Sequence, residues 1–155
     1  MISPKGPLYR HRGGIFRRNL RIGPLTLTTL ASLIPAEIPH RLDIYDEGVE
    51  ELPARIDADI VGMTVITGSA PRAYQIAAEL RARGITVVLG GPHVTLVPEE
   101  AAAHCDVLIT GYAEETWPEM LRDYMAGAVK TRYSMRSDFS FDHMPVIPFA
   151  KRELL

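Results

Sequence analysis

Ile60-Val61-Gly62-Met63-Thr64-Val65-Ile66 is the stretch that decides the fold. It is continuously apolar and rich in β-branched residues, the pattern of a strand buried on both faces. Thr67-Gly68-Ser69-Ala70 turns the chain, and Pro71 to Arg83 reads as an amphipathic helix with Tyr74, Ala77, Ala78 and Leu80 on its apolar side. Proline suits a first helical position, and Gly84 is a natural stop. Ile85 to Leu89 is a second buried strand, closed by Gly90-Gly91-Pro92. Two buried strands joined by a helix make a βαβ unit, which requires a parallel sheet.

The same alternation extends both ways. Downstream, a helix over Pro98 to His104 leads to a strand over Val107 to Thr110, the turn Gly111-Tyr112-Ala113, and a helix over Glu115 to Met125. Upstream, Met1 to Ser3 reads as a short strand followed by a basic loop to Pro24 that carries Arg10, Arg12, Arg17, Arg18 and Arg21. Leu25 to Ile34 is helical until Pro35, and Arg41 to Tyr45 is a strand leaving through Asp46-Glu47-Gly48. The expected fold is α/β, a doubly wound parallel sheet of five strands over residues 1–127. Residues 128–155, with Pro145, Pro148 and scattered aromatics, read as a linker or tail.

Bulk properties narrow the function. At 155 residues and 46% hydrophobic content, one folded domain with a single core is expected. A net charge of -2 favours neither nucleic acid nor an acidic surface as partner. No apolar run reaches the ~20 residues that span a bilayer, and no secretory signal opens the chain, so a cytoplasmic protein is expected. The single cysteine, Cys105, can form no internal disulfide and cannot hold an iron–sulfur cluster alone.

Ligands of open parallel sheets bind beyond the carboxyl ends of the strands. Three exits there share one character: Thr67-Gly68-Ser69-Ala70, Gly90-Gly91-Pro92-His93-Val94-Thr95 and Gly111-Tyr112-Ala113-Glu114-Glu115. Glycine allows close backbone approach, and hydroxyls and free N–H groups bind amides or phosphate. Together they describe a cleft for a large ligand with many hydrogen-bonding groups; each alone could be no more than a tight turn. No G-x-G-x-x-G or P-loop follows any strand, which argues against a dinucleotide or nucleoside triphosphate. No nucleophile–base pair or metal-ligand cluster is visible, so no catalytic residue and no metal ligand is assigned.

Three blocks resemble the cobalamin-binding domain of cobalamin-dependent radical SAM enzymes: Ala58 to Tyr74; Val87 to Thr95 with Pro98-Glu99-Glu100-Ala101; and Gly111 to Pro118. Their mutual spacing matches as well, and the resemblance runs from about residue 20 to residue 155. It implies a flavodoxin-like (Rossmann-like) sheet of order 2-1-3-4-5. The corrin would lie over the strand ends, with the nucleotide tail buried between sheet and loops. It implies that Thr64, Thr67, Gly68, Gly90, Gly91, His93, Thr95, Gly111 and Glu114 lie near the cofactor, and Ser69, Val94 and Tyr112 share those exits.

Other cobalamin folds supply a cobalt-bound histidine from D-x-H-x-x-G. Asp43-Ile44-Tyr45-Asp46-Glu47-Gly48 has tyrosine in that place, so no histidine is expected on cobalt. His93 is either an axial ligand or a hydrogen-bonding group, and the second reading is preferred. Tyr74 and Trp117 read as helix residues packed on the sheet. Glu114 and Glu115 could contact ligand or cap the last helix. Arg72, a cation at a helix start, is expected to meet an anion.

The C-x-x-x-C-x-x-C that holds the family's iron–sulfur cluster is absent from these residues, and Pro145 to Leu155 resembles the segment leading into a radical SAM barrel. The resemblance thus implies a cobalamin-binding module, not catalytic alone, that serves a radical SAM domain in cis or trans for methyl transfer or related radical chemistry. The alternatives are a free-standing nucleotide-dependent transferase using His93 and Glu114, and a non-catalytic interaction module.

Overall fold

The computed structural model describes residues 1–6, 25–48, 50–140 and 142. The basic stretch from Arg10 to Arg21, together with Phe141, Phe149 and the segment from Pro145 to Leu155, lies outside the described residues.

The described elements run in chain order β1 (Ile2–Ser3), α1 (Leu25–Ser32), β2 (Tyr45–Asp46), β3 (Ile60–Thr64), α2 (Ala70–Arg81), β4 (Thr86–Gly90), α3 (Pro92–Leu96), α4 (Pro98–Ala102), β5 (Val107–Thr110), α5 (Thr116–Met125) and β6 (Arg132–Ser134), with a short 3-10 turn over Thr67–Ser69. They build one sheet in the order β2-β1-β3-β4-β5-β6, every neighbouring pair parallel.

Period-two alternation divides the core in two. Val61, Met63, Val87, Leu89 and Leu108 pack with Ala73, Ile76, Ala77 and Leu80 of α2 and with Val94 and Ala101 of α3 and α4. Val88, Val107 and Ile109 face the other way, onto Trp117, Met120 and Leu121 of α5, with Leu30 of α1 against them. The sheet is therefore covered on both faces, as its unbroken apolar strands require.

Three details correct the sequence reading. The sheet has six strands, not five, because Arg132–Ser134 within the expected tail pairs with β5. Three residues with one buried side chain, Tyr133, leave too short a pattern to read as a strand. The strand expected over Arg41 to Tyr45 is only Tyr45–Asp46, because its ladder is set by a two-residue partner, Ile2↔Tyr45 and Ser3↔Asp46. Gly91 to Thr95, read as a turn, instead opens α3 at Pro92.

Candidate functional site

The register of the central strands shapes the site. Gly62 pairs with Val88, and Thr64 with Gly90, two residues nearer the carboxyl ends. On the α1 and α5 side, β3 and β4 thus each offer one glycine and one side chain. A cavity of about 770 Å³ lies there, between the sheet, α1 and the start of α5. That volume falls within the roughly 300–1,000 Å³ of small-molecule sites.

The structure divides the candidate residues. Thr64, Gly90, Gly91, Thr95, Gly111, Tyr112 and Glu114 line the cavity. Thr67, Gly68, Ser69, His93 and Val94 do not. Sequence reasoning missed Thr26, Leu27, Thr29 and Leu30 of α1, Gly62 in mid-strand, and Met135 after β6, and it read Trp117 as packing alone. An isolated glycine inside a strand often marks close approach by another group, and that signal was available for Gly62.

The three cleft glycines do different work. Gly91 has φ +106, and a Cβ there would sit 2.9 Å from both the N and O of Val65. The exits of β3 and β4 are knitted at that point by Val65 N–H donating to Gly90 O (2.8 Å) and His93 N–H to Val65 O (3.1 Å). Gly91 is therefore a packing requirement. Gly111, at φ +78, would collide with Met135, and its N–H donates to Thr95 Oγ1 at 2.9 Å. Gly90 differs: its φ is not positive, and a Cβ would meet only Ile109 O at 3.6 Å and Ile109 Cβ at 3.7 Å, ordinary contacts. Neither backbone nor neighbours demand glycine at this position; what the missing side chain leaves open is the cavity.

Polar groups are unevenly placed. Thr95 Oγ1 is committed, donating to Gly91 O and accepting from Gly111 N–H. Thr26, Thr29 and Thr64 also line the cavity, and their hydroxyls bond no described residue. Trp117 closes the deep end, its ring against Gly62, where a Cβ would lie 3.3 Å from Cη2. The indole N–H is spent on Leu30 O at 3.1 Å. At the mouth, Tyr112 is exposed and stacks on half-buried Phe139, ring centroids 5.5 Å apart. Leu96, after β4, is 76% exposed and extends this apolar rim.

His93 is buried, with both ring nitrogens engaged: Nε2 lies 3.0 Å from Tyr74 Oη and Nδ1 3.3 Å from Thr67 Oγ1. Tyr74 donates its proton to Glu100 Oε1 at 3.1 Å, so the network assigns the His93 proton to Nε2. Burial, together with that carboxylate, pushes the Tyr74 phenol up to about 12. His104 stacks on Tyr74 with centroids 3.9 Å apart. Tyr74 packs on the α2 face, so His93 and Glu114 do not converge.

Arg72 finds its anion in Glu47, a buried carboxylate after β2, with Nη2 to Oε1 at 2.7 Å and Nε to Oε2 at 3.2 Å. The Lys5 N–H also donates to Oε2. Burial alone would raise the Glu47 carboxyl, but the Arg72 and Lys5 hydrogen bonds and charges outweigh it and hold the group below its ordinary range. Cys105 is buried, and burial pushes its thiol up to about 11. Among the described residues, no three His, Cys, Asp or Glu side chains gather as metal ligands, and no helix is long and apolar enough to cross a membrane.

Comparison with known proteins agrees with this arrangement. The B12 binding domain family matches residues 30–121, more than half of the chain. Bacteriochlorophyllide d C-8(2)-methyltransferase of Chlorobaculum tepidum is 42% identical over 113 residues, 72% of this chain and 25% of that protein. The C-12(1)-methyltransferase of the same organism is 37% identical over 75 residues, covering 48% of this chain and 16% of the relative. An uncharacterized methyltransferase of Pyrococcus horikoshii is 35% identical over 111 residues, covering 63% and 24%. The chain thus spans a quarter or less of the length of these relatives. No solved structure matches it. With its parallel sheet and carboxyl-end cavity, this chain belongs to the B12 binding domain family.

Proposed function

We propose that this chain binds cobalamin, with the corrin over the carboxyl ends of β3, β4 and β5 and the nucleotide tail in the cavity between the sheet, α1 and α5. Gly90 carries this reading: a glycine that neither backbone nor packing requires keeps the cavity clear. The hydroxyls of Thr26, Thr29 and Thr64, which bond no described residue, suit the polar groups of such a tail. Tyr112, Phe139 and Leu96 supply apolar surface at the mouth.

When bound, the corrinoid supplies a cobalt centre able to carry a methyl group. The chain's own contribution is to hold, orient and shield. Thr64 offers its hydroxyl to a polar group of the ligand, while Thr95 ties the β4 exit to Gly111 and fixes the shape of the site. Trp117 closes the deep end against water. His93 holds the β3 exit to α2 through Thr67 and Tyr74 and binds no metal, since both its nitrogens are already engaged.

The names of the relatives support methyl transfer as the wider process. A radical SAM catalytic domain, in cis or in trans, is the partner the sequence resemblance implies. That domain would bring the iron–sulfur cluster, because the single thiol here is buried. The separation of His93 from Glu114 speaks against the nucleotide-dependent transferase.

The test is direct. Hydroxocobalamin is mixed with purified protein, free cofactor is removed by desalting, and the visible spectrum is recorded. One corrinoid retained per chain is expected. A colourless protein fraction at micromolar concentrations refutes the assignment.

A further inference from the structure

We infer that the cavity selects the far end of the corrinoid tail, accepting an aromatic base with few hydrogen-bonding groups and disfavouring a purine. The inference rests on the corrinoid reading above. It follows from where polar atoms stand along the depth of the cavity. Thr64 and Gly90 form the row nearer the carboxyl ends; Gly62 and Val88 form the row two residues deeper, which is about 7 Å at strand rise. The Thr64 hydroxyl stands in the outer row, and Thr26 and Thr29 of α1 line the cavity as well; none of the three hydroxyls bonds a described residue. The deeper row is faced by the Trp117 ring and the Met1 side chain, both against Gly62, with Val88 beside them and Leu30 of α1 on the same lining. The one side-chain nitrogen or oxygen among these, the indole nitrogen, is occupied by Leu30 O.

A ligand matched to this gradient has a polar stem and an apolar tip. Corrinoids with a nucleotide tail share the stem, a sugar phosphate, and differ in the base at its end. A dimethylbenzimidazole offers the deeper row methyl groups and ring carbon. An adenine offers an exocyclic amine and additional ring nitrogens, which lose their water and find no partner on Val88, Leu30 or Trp117. Each buried polar group left unpaired weakens binding about ten- to hundredfold.

The experiment is equilibrium binding, followed by the visible spectrum, of three ligands to the intact chain: cobalamin, the cobamide with adenine in place of dimethylbenzimidazole, and cobinamide, which lacks the nucleotide. Cobalamin binding tightest, with the adenine form at least about tenfold weaker, supports the inference. Val88→Thr keeps a β-branched strand residue and adds a hydroxyl to the deeper row, so it should narrow the gap between the two tailed ligands. Equal affinity for cobalamin and the adenine form overturns the selectivity while leaving corrinoid binding intact. Cobinamide binding as tightly as cobalamin also overturns it, because the tail would then make no use of the cavity. Failure of all three to bind overturns the corrinoid reading itself.

Discussion

Replacing Gly90 by valine separates a ligand cavity from a packing void. Gly90 ends β4 opposite Thr64, with ordinary strand backbone. Its Cβ position is 3.6 Å from the nearest atom, Ile109 O, so the first added carbon fits. A β-branched residue suits a strand, and loss of glycine's chain entropy adds about 0.5–1 kcal/mol of stability. The methyl groups extend into the cavity, where a bound tail would meet them. Overpacking of that kind costs about 1–3 kcal/mol, or roughly 5- to 150-fold in affinity at about 1.4 kcal/mol per decade. The assay pairs a spectrophotometric titration with hydroxocobalamin and a thermal melt. Weakened binding with an unchanged or raised melting temperature is expected. Gly91→Val serves as contrast: at φ +106 and 2.9 Å from the Val65 backbone, it should lower the melting temperature whatever the ligand does. Cobalamin bound as tightly by Gly90→Val as by the parent would refute the reasoning.

Other outcomes follow from the polar groups. Glu47 has its carboxyl held below the ordinary value of 4.5, so its contribution to stability is present above about that pH and lost as pH falls through the lower folded-state value. Glu47→Gln should flatten the acid limb of a melt-versus-pH curve, and Glu47→Ala, which strands partly buried Arg72, should cost about 3 kcal/mol in urea unfolding. His93→Ala should cost about 1–3 kcal/mol by emptying a buried site and removing the hydrogen bonds to Tyr74 and Thr67. It should leave the electron paramagnetic resonance spectrum of bound cob(II)alamin unchanged; loss of an axial nitrogen splitting would show that His93 binds cobalt. Cys105, its thiol pushed up to about 11 by burial, should react with iodoacetamide at pH 8 only when the chain is unfolded. Incubated with SAM, reductant and candidate acceptors, the cobalamin-loaded chain alone should transfer no methyl group.

The central architecture was legible because burial writes itself into strands. Val61, Met63, Val87 and Leu89 face one helical layer and Val88 the other, which produces an unbroken apolar run with β-branched residues. Where burial is one-sided or partners are short, the signal fades. Tyr133 alone marks β6, and β2 is as short as the two residues it pairs with. The site was legible as a set of strand exits, but not in its internal division. Gly90 and Gly91 are adjacent and identical in sequence; only the dihedral of one and the empty space beside the other tell them apart. The polar residues of the exits drew attention from Trp117, Leu30 and Gly62, because a cavity floor is built of the same residue types as a core. His93 was drawn into the candidate set by its neighbours, yet its ring turns to α2, where Tyr74 supplies a hydrogen-bond partner.

The sixth strand also bears on how the edge of this sheet is protected. Leu108 N–H donates to Thr131 O and Met135 N–H to Thr110 O, both at 2.9 Å, so the outer side of β5 is occupied. β6 itself is three residues long and presents exposed Arg132 and Ser134, a poor template for another chain. A chain cut at Gly127, where the helical pattern ends, would bare the backbone groups of Val107 to Thr110, an apolar strand edge open to strand-to-strand self-association. Aggregation of such a fragment would report the loss of a cap on the sheet, and would say nothing about cofactor affinity.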